Sequence, residues 1–403
     1  MKSRIKSIVT PSISAPVDKF VLWSIFVLAA VGIVAVYSAV SFLAETKSGG
    51  DTERFLFNHL FRVALALAVM GGFSLIDYHK SARFGLVALT VAIALLLLVQ
   101  FVGVVSGGAA RWLQLGGFGF QPSDLAKVAL VLYVAVLLAK KQTYIKSFSR
   151  SFAPIFIWIL ITVAAIGIED LSTAALVLAA VVTMCFIARV SVLQLAATCF
   201  VGAILAYSLL LTSPERAARL ESYAGLKLFP NTEEAEEFSS QAEGYQARQA
   251  RIAFAMGGIS GVGPGKSVQR DFLPAPYNDF IYAIIAEEYG VIGALLILAV
   301  FVVILFRGLL RIARRAPDPL GLLISVGLVL MLTFYGFVHA GVAAGLFPVT
   351  GLPLPFVSYG GTSLVMCCLS LGVLLGVARD SHRAELRRPR SSSLYRRRGA
   401  DDL

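Results

Sequence analysis

The chain carries its apolar residues in blocks of about twenty, and this spacing restricts its fold more than any other feature. The runs fall at roughly 20–44, 57–76, 84–105, 124–139, 152–168, 171–188, 190–211, 280–306, 319–346 and 359–378. A helix needs about 20 apolar residues to cross the hydrocarbon core of a bilayer. Composition agrees: the 403 residues are 58% hydrophobic and 15% charged, whereas soluble domains run at about 45–50% and 25%. A soluble enzyme and a disordered chain are both excluded. The expected fold is all-α and polytopic, with ten transmembrane helices spanning 20–378. The first run is too long for a signal-peptide core and has no small-residue cleavage pattern after it, so it is read as a retained helix.

Charge orients the spans. With both termini cytoplasmic, the inside segments hold 23 Lys and Arg against 11 outside, and seven of those 11 sit in one long loop beside nine acidic residues. Short loops decide orientation, and they fit an even number of spans. Arg62 interrupts the second run and Lys127 stands just inside the fourth. Removing either span would put Lys140, Lys141, Lys146 and Arg150 on the wrong side. The flanking regions are then a cytoplasmic segment, 1–19, and a basic cytoplasmic tail, 379–403. The net charge of +11 is largely a tail effect. The run Arg387, Arg388, Arg390, Arg396, Arg397 and Arg398 faces anionic headgroups or water, and no aromatic interleaving supports nucleic acid. The four cysteines, Cys185, Cys199, Cys367 and Cys368, lie in apolar runs without metal or disulfide spacing and are expected as buried small hydrophobes.

The long extracytoplasmic loop, 212–279, should begin with short amphipathic helices at the membrane surface. Its glycine-rich part, Gly257 to Lys266, lacks one residue of the phosphate-loop spacing and no strand precedes it, so a tight turn is the better reading. Asp279 closes this loop at the outer membrane–water boundary. A carboxylate beside a low-dielectric region can have its pKa raised and serve as a general base; an ordinary helix N-cap is the plainer alternative. Glu287 and Glu288 lie about two turns further in, and on a continuous helix they would not both share Asp279's face. Carboxylates at that depth face a cavity or a basic partner.

Cationic candidates come from other loops. Arg111 and Trp112 sit at the interface, where a Trp is also an ordinary belt residue. Lys127 follows Asp124 by three residues, so it forms a local ion pair or serves an anionic headgroup together with Arg111. The last outside loop, with three prolines, three glycines and Ser358, has irregular backbone near membrane depth, tolerated where it is buried in protein or lines a cavity. His339 reads as a packed, hydrogen-bonded histidine more readily than as a proton relay.

Three blocks then carry a resemblance: RWLQLGGFGFQPSDLAK, FLPAPYNDFIYAIIAEEYGVIGA and GLFPVTGLPLPFVSYGGTS. Their sequence, order and side of the membrane resemble the signature blocks of the SEDS proteins (shape, elongation, division and sporulation) across roughly 18–380. The linker RIARRAPDPLG and the basic tail look more like the division member than the elongation member. The resemblance implies a peptidoglycan glycosyltransferase polymerising lipid II into glycan strands on the outer face of the bacterial cytoplasmic membrane. It also implies enrichment at the septum, a class B penicillin-binding protein as partner, and other divisome proteins. Asp279 takes the catalytic role, and Arg111, Trp112 and Lys127 match important family positions. Lys266, Glu288 and Ser358 complete the expected substrate-binding set. Tyr335, His339 and Ala343 stand where many relatives carry glutamine and asparagines, and Tyr277-Asn278 replaces the usual His-Thr. A diphosphate leaves without a second acid if its charge is stabilised, so one base plus cations suffices, with inversion at the donor sugar. No metal cluster is demanded, although a divalent cation, Mg or Mn, would assist. The competing readings are a lipid II flippase and a scaffold for the penicillin-binding protein.

Overall fold

The computed structural model describes residues 18–47, 52–106, 109–115, 118–229 and 232–387. Most of the N-terminal segment and the arginines from Arg388 onward lie outside these residues. Among the described residues, nine helices are long and apolar enough to cross a membrane. These are α1 (Lys19–Lys47), α2 (Thr52–Leu75), α4 (Gly85–Val102), α5 (Pro122–Lys140), α6 (Ala153–Glu169, which the wider helical turn Phe148–Phe152 lengthens to 22 residues), α8 (Val192–Leu211), α11 (Ile281–Phe306), α12 (Pro319–Ala343) and α13 (Thr362–Arg387). The expected tenth span is α7 (Leu171–Ile187), which is equally apolar but shorter. Its 17 residues rise about 26 Å, somewhat less than the roughly 30 Å hydrocarbon core. A short α3 (Tyr78–Arg83) links α2 to α4, and α9 (Pro214–Ala224) and α10 (Glu233–Gly257) occupy the long loop, as the amphipathic reading expected.

Helix ends follow local chemistry. Asp170 accepts from the backbone N–H groups of Ser172 and Thr173 at 2.9 and 3.1 Å and so caps α7. Asp318 caps α12 through the Gly321 N–H at 2.7 Å, with Pro319 at the first helical position. Both use the side-chain oxygen to satisfy donors that the helix leaves free. On the face opposite the long loop, His79 lies 2.7 Å from Asp318 and 2.8 Å from Asp77. Burial lowers its pKa, but the contacts with the two aspartates outweigh this and raise it overall.

The interior is uneven. α5, α12 and α13 are the most enclosed helices, whereas α2 and α8 turn most of their sides outward. The enclosed helices carry the buried polar groups Asp124, Lys127, Tyr335, His339 and Ser370. That distribution is physical: polar side chains in a bilayer must face protein or a polar cavity. Cys185, Cys367 and Cys368 are buried as expected, but Cys199 is exposed on α8, where it lines an apolar cavity against α6 and α7.

The all-α expectation needs one amendment. Between α4 and α5 the chain forms three short antiparallel strands, β1 (Val104–Ser106), β2 (Ala109–Leu115) and β3 (Phe118–Phe120). The sequence there alternates between two Gly-Gly pairs, which is hairpin chemistry. Trp112 lies across Gly119, where an added Cβ would approach the indole to 3.1 Å. The indole thus packs within the hairpin that carries Arg111.

The glycine-rich segment after α10 makes no phosphate loop. It lies against α11 backbone to backbone: Val262 N–H donates to Glu287 O and Gly263 N–H to Glu288 O, both at 3.0 Å. In return Val291 N–H donates to Gly258 O at 2.9 Å. α11 breaks at Gly290, with φ 67° and ψ −170°, to present these groups.

Candidate functional site at the loop face

Asp279 sits in a turn ahead of α11 and does not cap it; the cap position is Phe280, which makes no side-chain cap bond. The plainer reading of an aspartate here therefore does not apply. Asn278 Nδ2 donates to Asp279 Oδ1 at 2.9 Å. Gly351 of the last outside loop stands close to the other oxygen; a Cβ there would lie 3.7 Å from Oδ2. The side chain is half-buried. Burial pushes its carboxyl up to about 6, Arg111 pulls it back, and Asp170 pushes it further. Desolvation disfavours the charged form, and this is how a carboxylate becomes a base near neutrality.

The backbone around Asp279 is tied to the last loop. Tyr359 N–H donates to Tyr277 O at 2.9 Å. Ser358 Oγ donates to Asn278 O and accepts from Leu354 N–H, both at 2.8 Å. Ser358 is buried and ties the last loop to the turn that carries Asp279. His339 is buried as well, with Nδ1 2.6 Å from Leu352 O, which agrees with the packed reading.

Arg111 reaches the site from β2, and its Nε donates to Glu169 O at 3.0 Å. Arg216 of α9 donates to Gly167 O, Ile168 O and Glu169 O at 3.0, 2.7 and 3.1 Å. Two guanidinium groups thus cover the negative end of the α6 dipole. Thr173 Oγ1 donates to Asp170 Oδ2 at 3.0 Å, which fixes the carboxylate that acts on Asp279.

Lys127 forms the local pair. Its Nζ is 2.7 Å from Asp124 Oδ1, both side chains are 5% exposed, and the ammonium lies 4.4 Å from the Tyr335 ring centroid. Thr362 Oγ1 donates to the other Asp124 oxygen at 3.0 Å. A buried pair that loses one partner strands a charge, at about 3–5 kcal/mol. Asp124→Ala should therefore lower the melting temperature in detergent sharply, and the double change Asp124→Leu with Lys127→Met should recover most of it. A double variant as unstable as Asp124→Ala would show that the pair's charge is not the cause.

Two expected members are elsewhere. Lys266 is exposed in the glycine-rich turn. Glu288, expected at the substrate, is buried and accepts a hydrogen bond from Ser38 Oγ of α1. Its neighbour Glu287 accepts from Ser267 Oγ and, at 2.9 Å, from Val268 N–H. Both carboxylates belong to the clasp between α11 and the turn. Conversely, Glu169, Asp170 and Arg216 were not singled out in the sequence. The cue was present, because Glu169 and Asp170 are the only charges between the fifth and sixth apolar runs. Among the described residues no three His, Cys, Asp or Glu are grouped so as to hold a metal ion.

Below this cluster an apolar cavity of about 470 Å³ opens between α6, α7 and α8, lined by Val163, Gly167, Leu171, Leu178, Gly202 and Leu209. Gly167 and Leu171 flank Glu169 and Asp170, so the cavity abuts the polar cluster.

Fold and cluster together define a polytopic membrane protein with a tuned carboxylate and arginines at one face. Residues 19–383 match the family of cell cycle proteins that unites FtsW, RodA and SpoVE, and the chain belongs to that family. It is 35% identical over 365 residues to the probable peptidoglycan glycosyltransferase FtsW of Geobacter metallireducens, covering 90% of this chain and 94% of that one. It is 35% identical over 361 residues to stage V sporulation protein E of Bacillus subtilis, covering 88% and 94%. Its fold is similar to a chain in a peptidoglycan synthase complex solved for its coordination of polymerization and crosslinking. That match has TM-score 0.68 at 25% identity, over 91% of this chain and 98% of that one. It is similar also to the Thermus thermophilus rod shape determining protein RodA, with TM-score 0.65 at 24% identity over 91% and 97%.

Proposed function

We propose that this chain is a peptidoglycan glycosyltransferase that polymerises lipid II on the outer face of the bacterial cytoplasmic membrane, with Asp279 as general base. The observation that carries this reading is the Asp279 carboxyl itself, half-buried in the turn ahead of α11 beside Gly351 of the last outside loop, where burial raises it to about 6 and the charge of Arg111 acts on it. Asp279 takes the proton of the acceptor sugar's 4-hydroxyl as that oxygen attacks the donor's anomeric carbon. The bond to the lipid diphosphate breaks on the opposite side, which inverts the configuration. Arg111 stabilises the negative charge that grows on the leaving diphosphate. Lys127, fixed by Asp124, supplies positive potential from behind rather than a direct contact. The apolar cavity beneath has the chemistry for a lipid chain. A divalent cation, Mg or Mn, would enter with the diphosphate.

The relatives named FtsW support a role at the septum with other divisome proteins. The neighbour solved as a polymerising and crosslinking complex supports a class B penicillin-binding protein as partner. The purified chain supplied with lipid II in detergent, where sidedness is absent, should form glycan polymer, with or without that partner. Silence in both conditions, alongside headgroup translocation in vesicles, would favour a flippase.

A further inference from the structure

Glu169 is the least explained charged residue near Asp279. Its side chain is 0% exposed, and neither carboxyl oxygen has a hydrogen-bond partner. Its main chain is well held, since Arg111 and Arg216 both donate to its carbonyl oxygen. The side chain does not line the apolar cavity, although Gly167 and Leu171 do. The charged groups acting on it are Arg111 from β2, Asp170 from the head of α7 and Asp124 from α5. It therefore sits where the apolar cavity meets the polar cluster.

A buried carboxylate without a partner is among the costliest groups a protein can hold, while the neutral acid costs far less. The charge of Arg111 acts on it, but the Arg111 Nε is spent on the backbone carbonyl. The charge balance points the same way. With Glu169 ionised, the cluster would hold four carboxylates, Asp124, Glu169, Asp170 and Asp279, against Lys127, Arg111 and Arg216. That surplus would repel an anionic substrate. With Glu169 neutral, three face three.

We propose that Glu169 is a substrate-binding residue, a neutral carboxylic acid that donates its O–H to a phosphate oxygen of a lipid diphosphate. A neutral donor to an anion makes a strong, charge-assisted bond and adds no repulsion. Arg111 of β2 donates to the Glu169 carbonyl oxygen at 3.0 Å, so a diphosphate held by Arg111 lies beside Glu169. The inference rests on the glycosyltransferase reading for the identity of the ligand.

The experiment compares Glu169→Gln and Glu169→Leu in full-length protein in detergent. It uses binding of undecaprenyl diphosphate by the purified protein and KM for lipid II as readouts. Glutamine stays neutral and keeps a donor, so it should bind within about twofold of the parent. Leucine fills the space without a donor, so it should bind about tenfold more weakly or worse. Equal weakening in both variants would overturn the proposal by showing that the ionised form is needed. Parent-like binding by the leucine variant would overturn it as well. Should Glu169→Leu fail to fold, the glutamine arm still decides, because an ionised role predicts its loss. Binding by an Asp279→Asn protein separates the two readings. If neither it nor the parent holds the diphosphate lipid, the functional reading fails; if both do, only the role of Glu169 is in question.

Discussion

Replacing Asp279 by Asn is expected to abolish glycan polymerisation in a protein that melts at or above the parent's temperature. Losing a general base costs about 10²–10⁴-fold in rate. A structural aspartate would instead lose stability when changed. The two are separable because of the sign of its pKa shift. Burial raises this carboxyl from an ordinary 3.8 to about 6, so the folded state binds its proton more tightly than the unfolded chain does. The ionised group then opposes folding at neutral pH, by up to about 3 kcal/mol for a shift of this size. That penalty is present above pH 6 and fades as pH falls toward the unfolded value. Asn removes the charge and hence the penalty. In the parent, kcat/KM should fall about tenfold per pH unit below a midpoint near 6. Removing Arg111's charge should move that midpoint upward, because Arg111 pulls the carboxyl down. An Asn variant that polymerises at near-parent rates would refute the role, and a parent profile flat between pH 5 and 7 would refute the tuning.

The spans were legible because a bilayer imposes a length and a composition that single residues express directly. α7 fell short of a full span, and packing on α6, α12 and α8 holds it in place. Asp279 and Arg111 were readable as boundary charges, and the fold brings them within electrostatic reach. Asp170 was not, since an acid before Leu-Ser-Thr reads first as a helix cap, and it is one: the same carboxylate caps α7 and acts on Asp279. Glu288 misled for the opposite reason. A deep carboxylate suggests a ligand, but here one of its oxygens accepts from Ser38, on a helix 250 residues away in sequence. Nothing local could reveal that partner. The hairpin carrying Arg111 is flanked by Gly-Gly pairs, yet its position between two spans led it to be read only as an outside loop.

Gly290→Ala is expected to deplete the folded protein, and with it the activity, although residue 290 touches no substrate. The backbone there, φ 67° and ψ −170°, lies in a region open essentially to glycine alone, which costs other residues about 1–3 kcal/mol. Space is lacking too: a Cβ would stand 2.2 Å from Ile259 O, so two backbones would have to part. Forced separation in a packed interior adds about 1–3 kcal/mol more. Gly261 shows the same constraint from the opposite side, with a Cβ 2.1 Å from Glu288 O. Together these glycines let the turn after α10 and the break in α11 share hydrogen bonds, and Glu287 and Glu288 hold the arrangement through Ser267 and Ser38. Asp279 lies on the chain between the two halves of this clasp, so loosening it displaces the base. The control is Gly71→Ala in α2, where nothing lies within 4 Å of the added carbon and alanine favours a helix over glycine by about 1 kcal/mol. That variant should melt at or slightly above the parent. If Gly290→Ala melts like Gly71→Ala and keeps full polymerase activity, the clasp is not what sets the position of Asp279, and the loop must be held from the Ser358 side alone.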